Sequence, residues 1–161
     1  MRSLVKRKLE ALLTDRGFRK SGSFYSRHRS DMLDVAQIRH TRNGYMTSLG
    51  VVDEEFGATV SQDGYTWSVL AEPTAFIKDV WEFLRMSDEN NKVSVDARDE
   101  YFQNTVGPAI DAFFNQFPNV QEVRKFVADD ERSPKGAYSD YYLDWVLGKG
   151  PKWPDTPAAQ P

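Results

Sequence analysis

Apolar residues recur along this chain first with a helical spacing, then in alternation, then with a helical spacing again. Leu4, Leu9, Leu12 and Leu13 share one face of a helix predicted over residues 3–16, with Ser3 as its cap and Gly17 as its stop. Five β-type runs follow, at 23–29, 32–42, 45–53, 57–62 and 65–70. Past Pro73 the period lengthens, and Phe76, Ile77, Val80, Trp81, Phe83 and Leu84 form the stripe of a helix over 74–86. A second stripe runs from about Asp96 through Tyr101, Phe102, Val106, Ile110, Phe113, Phe114 and Phe117 to Pro118. It should break or bend at Gly107-Pro108, where the proline ring removes a donor. Residues 120–128 and 138–147 are shorter helical segments, the second with Tyr138, Tyr141, Tyr142 and Trp145. Those rings read as core, the alternative being a partner surface or dimer contact.

The pattern predicts one α+β domain over residues 1–147. Its expected form is an antiparallel meander sheet of about five strands, with the N-terminal helix and the C-terminal helices packed mainly on one face. Residues 148–161, with four prolines, read as a flexible tail.

Turns decide which side chains meet. Asn43-Gly44 and Asp63-Gly64 are strong two-residue hairpin signals, and Ser30-Asp31 is a third. The first places Ile38 opposite Leu49, Ala36 opposite Val51 and His40 opposite Thr47. The second places Val60 opposite Trp67 and Ala58 opposite Val69, with Thr59, Ser61, Thr66 and Ser68 on a wet face. Across Ser30-Asp31, His28 shares a face with Leu33, Val35 and Gln37, while His40 lies on the reverse face with Ala36 and Ile38.

Composition narrows the chemistry. The 161 residues include no cysteine, which excludes disulfides, thiolate metal sites, Fe–S clusters and cysteine nucleophiles. Hydrophobic residues at 40% and charged residues at 28% mark a folding, globular chain rather than a disordered one. No run approaches a membrane span, and the basic start Met1 to Lys8 leads into no apolar signal core. Glu10, Asp15 and Gly17 fit a folded helix better than an organelle presequence, so the cytoplasm is the expected compartment. Residues 1–42 carry eleven Lys or Arg against four Asp or Glu, and the remainder ten against twenty. The simplest reading is that the two parts attract each other on folding.

The run from Leu12 through Gly17-Phe18-Arg19-Lys20, then Phe24-Tyr25, the strand with Gln37 and Arg39, and Ser48-Leu49-Gly50, resembles the bacterial domain-of-unknown-function family numbered forty-three-oh-four. Trp67, the Trp81 helix and Ala112-Phe113-Phe114 before Pro118 extend the resemblance, which covers about Leu4 to Ala128. It implies a compact bacterial α+β domain and supplies no reaction.

The predicted register gathers Ser26, His28, Gln37, Arg39 and Ser48 at the polar centre of one sheet face. Such side chains on interior strands either meet solvent or bind something, because an unpaired buried polar group costs about 1–3 kcal/mol. These five are the candidate ligand- or partner-binding residues. No catalytic set emerges: the two histidines fall on opposite faces, and no metal-ligand spacing or phosphate-binding loop is present. The acidic group at Asp96 suits a helix start. No metal and no cofactor is expected.

The leading expectation is therefore a non-catalytic protein-binding module, immunity-like or regulatory, with a homodimer as another form of partnership. A small hydrolase or other enzyme acting on a small or phosphorylated substrate is the alternative. It would need a deep pocket in which His28 or His40 meets a carboxylate and an arginine. A weak nucleic-acid binder is the third reading, opposed by the pI of about 5.4.

Overall fold

The structure, a computed structural model, describes residues 3–57, 60–61, 64–65, 67–129 and 137–152. It opens with α1 (Leu4–Asp15), whose N-terminus is capped by Ser3 Oγ accepting from the Lys6 amide at 3.1 Å. Val5, Leu9, Leu12 and Leu13 form its buried stripe. Gly17, at φ 83°, ends it, and the chain enters the sheet.

The fold is α+β, with an antiparallel meander at its centre. β1 (Arg19–Ser21), β2 (Phe24–Arg29), β3 (Met32–Thr41) and β4 (Gly44–Asp53) pair in sequence. The meander continues with β7 (Val69–Ala71) on β4, the end of the run expected at 65–70, and then with β8 (Ala137–Tyr138) on β7; β1 and β8 are the strands that the alternation did not reveal. The expected hairpin at Asp63-Gly64 is a separate ribbon of β5 (Val60–Ser61) and β6 (Gly64–Tyr65). There Val60 faces Tyr65 rather than Trp67. Val69 is taken by Val51 on one side and Tyr138 on the other. Ala58, Thr59, Asp63 and Thr66 lie outside the described residues.

The Ser30-Asp31 turn forms as predicted: Arg29 pairs with Met32 and His28 with Leu33, and Ser30 takes the required positive φ of 50°. The next turn shifts by one residue. Arg42-Asn43 makes the reversal and Thr41 pairs with Gly44, so Ile38 faces Thr47, Ala36 faces Leu49 and His40 faces Tyr45. Two contacts explain the shift. Thr41 Oγ1 accepts from the Asn43 amide and donates to the Gly44 carbonyl, holding the earlier turn. Gly44, at φ 105°, abuts the backbone of Ser87, where a Cβ would come within 2.6 Å of the carbonyl oxygen. The pairing slides by two residues, so each side chain keeps its predicted face.

The predicted helix over 74–86 is two: α2 (Pro73–Phe76) and α3 (Val80–Ser87), the second restarted by Asp79 capping the Glu82 amide. The restart buries Phe83 and Met86 and leaves Trp81 78% exposed, so that residue is not part of the core. The following stripe passes Gly107-Pro108 without breaking. α4 (Val95–Tyr101) widens into a π turn (Phe102–Val106) and continues as α5 (Gly107–Asn115), the Gly107 amide donating to the Phe102 carbonyl. The wider turn accommodates a residue that has no amide proton to give. α6 (Val120–Ala128) and α7 (Asp140–Val146) complete the helices.

The main core lies on one side of the sheet. Leu9, Leu12 and Leu13 of α1, Phe83 of α3, and Phe102, Ile110, Phe113, Phe114 and Phe117 pack against Met32, Ala36, Leu49 and Val51. The uneven charge of the chain is resolved by ion pairs across it, Lys8 with Asp99, Arg16 with Asp111 and Arg39 with Glu72. Among the described residues no helix is long and apolar enough to cross a membrane.

Candidate functional site

The face turned away from that core carries the predicted site. Alternation along β2, β3 and β4 puts Phe24, Ser26, His28, Leu33, Val35, Gln37, Arg39, Ser48, Gly50 and Val52 together on it. Phe24, Leu33, Val35 and Val52 are buried in a small second cluster whose partly buried member is Trp67. Its ring crosses Gly50 so closely that a Cβ there would overlap it, and it meets Phe24 with ring centroids 6.4 Å apart. This is an apolar island built from strand residues and one indole, set apart from the helical core.

Polar groups border the island. Gln37, Arg39 and Ser48 come together at one end: Gln37 pairs with Ser48 across the strands, and Arg39 Nη2 donates to Ser48 Oγ at 3.0 Å. Glu72, the residue before α2, completes this group. It accepts from Arg39 on both oxygens at 2.9 Å and from the Ser48 hydroxyl at 2.9 Å. Ser48 is buried, so these bonds satisfy a hydroxyl that would otherwise be stranded. Arg39 remains 45% exposed at its side chain.

Ser26 and His28 lie on the same face but apart from that group. His28, in the Leu33 row, lies four residues from the Gln37 row, roughly 13 Å along the strands, and Ser26, in the Val35 row, lies two residues away, roughly 7 Å. The His28 imidazole contacts Glu54 at 3.1 Å and is mostly exposed. Of the five predicted residues, the structure joins three and leaves two as a separate margin. Glu72 escaped the sequence reading because it comes from a connection, where alternation assigns no face.

His40 sits on the opposite face, as the turns predicted, with its ring edge-on to Tyr45 at 4.9 Å. It lines a cleft of about 260 Å³ with Arg42, Asp88, Glu89 and Asn90. Both carboxylates there have structural work: Asp88 accepts from the Asn90 amide, and Glu89 from the Val5 amide and the Ser3 hydroxyl at the start of α1. Among the described residues no three His, Asp or Glu side chains are grouped to hold a metal ion.

The core face holds two fully buried aspartates that the sequence did not single out as a pair of centres. Asp34 receives Arg27 and Arg29, with contacts from 2.6 to 3.0 Å, and Arg27 also lies over the Phe18 ring at 4.6 Å. Asp53 receives both arms of Arg124 at 2.7 and 3.0 Å and the Tyr142 hydroxyl at 2.8 Å. The hydrogen bond to Asp53 raises the Arg124 pKa, while burial first, and then the Asp53 charge, push the Tyr142 phenol up. Arg124 and Tyr142 therefore keep their ordinary charge states at neutral pH. Comparison of the chain with protein-family models, curated proteins and solved structures finds no match.

Proposed function

We propose that the protein is a non-catalytic binding module, an immunity-like or regulatory partner, that docks another protein on the outer face of its sheet. One observation carries this reading: the face has the anatomy of a recognition surface, an apolar centre at Trp67 bordered by Arg39, Gln37, Glu72, Ser26 and His28. Tryptophan and arginine are the side chains that most often dominate binding energy at such surfaces. Arg39 uses Nη2 on Ser48 and Glu72, so the guanidinium is held in place while the rest of its edge faces outward. The chemistry requires no cofactor.

A pull-down from native lysate with the full chain tests it. The wild type should retain a protein that both Trp67→Ala and Arg39→Glu lose. Recovery of only small molecules or RNA, or retention unchanged in both folded variants, refutes the reading.

A further inference from the structure

We propose that residues 137–147 form a strap that opens on its own and, in opening, uncovers the outer edge of β7 and the Asp53–Arg124 pair. The strap consists of the two residues of β8 and the seven of α7, with the Ser139 cap between them. Neither part stands alone: an isolated helix in water needs about 12–15 residues to be even marginally stable, and two ladder pairs do not hold a strand. The segment is therefore ordered only while docked, and its contacts are made or lost together.

Those contacts are made by Tyr138 on Phe126, by Trp145 on Phe56 and Arg124, and most deeply by Tyr142. Tyr142 is fully buried, its ring 5.1 Å from Phe56 and stacked on Trp145, and its hydroxyl donates to Asp53. The opposite side of the helix, with Asp140, Tyr141 and Asp144, faces solvent. Opening bares the Phe56 ring and takes Trp145 from the Arg124 guanidinium, but it breaks no pairing within the sheet that remains. β7 still pairs with β4 through Val69, Leu70 and Ala71, and Asp53 still holds both arms of Arg124 and the Glu55 amide. Opening thus costs only the contacts of the strap itself, and it presents the backbone of β7, otherwise paired to β8, as a free strand edge.

Hydrogen exchange read by mass spectrometry on the full-length protein tests this, comparing peptides from 137–147 with peptides from β3 and β4. In the wild type the strap should exchange faster than the sheet. Tyr142→Phe, which keeps the ring and removes the hydroxyl, should speed strap exchange about tenfold, the equivalent of one hydrogen bond, and leave β3 and β4 unchanged. Tyr141→Phe, at an exposed neighbour, should change neither. Exchange of strap and sheet at one common rate, an equal acceleration of both by Tyr142→Phe, or no acceleration of the strap would each overturn the proposal.

Discussion

The two faces of one sheet solve opposite problems with the same residue types. On the core face, arginines close on carboxylates that no water reaches: Arg27 and Arg29 on Asp34, Arg124 on Asp53. On the outer face Arg39 meets a Glu72 that is itself 41% exposed, beside an apolar island scarcely larger than one indole and four strand residues. Removing a partner inside strands a buried charge; removing one outside returns both groups to solvent. The contrast assigns stability to the core face and leaves the outer face as the one proposed for recognition.

Substitutions should separate the two. The largest effect is expected from Arg124→Ala, which leaves the Asp53 carboxylate with only the Tyr142 hydroxyl and the Glu55 amide. We expect about 3 kcal/mol of lost stability in urea unfolding, the scale of a broken buried pair. Gly50→Ala should follow at about 1–3 kcal/mol, since the new methyl group displaces Trp67. It should also shift the tryptophan emission and weaken partner retention, although no polar contact is altered. Arg39→Ala should cost no more than about 0.5 kcal/mol and still abolish retention of the partner.

A smaller effect concerns acid. Glu10 accepts from the Tyr25 hydroxyl at 2.5 Å, and this bond, followed by that from Lys20, holds its carboxyl below the usual range. A depressed carboxyl stabilises the fold above its unfolded pKa of about 4.3, and that contribution is lost as pH falls through the lower folded value. Tyr25→Phe should therefore reduce the loss of stability between pH 7 and pH 3, read as the shift in urea midpoint. An acid-induced loss as large as in the wild type would assign the effect to other carboxylates.

Parts of this arrangement were legible in the chain because local rules determine them. The alternation of β2, β3 and β4 and the Ser30-Asp31 turn put Gln37, Arg39 and Ser48 on one face, and the slide at Arg42-Asn43 could not alter that because it moved the pairing by an even number of residues. The rest depends on partners distant in sequence. Arg124 reaches Asp53 across 71 positions, and the Ser87 backbone decides where Gly44 must sit. β1 and β8, three and two residues long, are too short to show a period. Trp81 fitted the helical stripe only while 74–86 was counted as one helix; the restart at Asp79 turned it outward.

The most direct test of recognition by the outer face is a hydrogen-exchange footprint of the protein bound to whichever protein the pull-down retains, against the protein alone. Added protection should fall on peptides holding Phe24 to His28, Gln37 to Arg39, and Trp67. Protection confined to the helices, with the outer strands unchanged, would contradict the assignment.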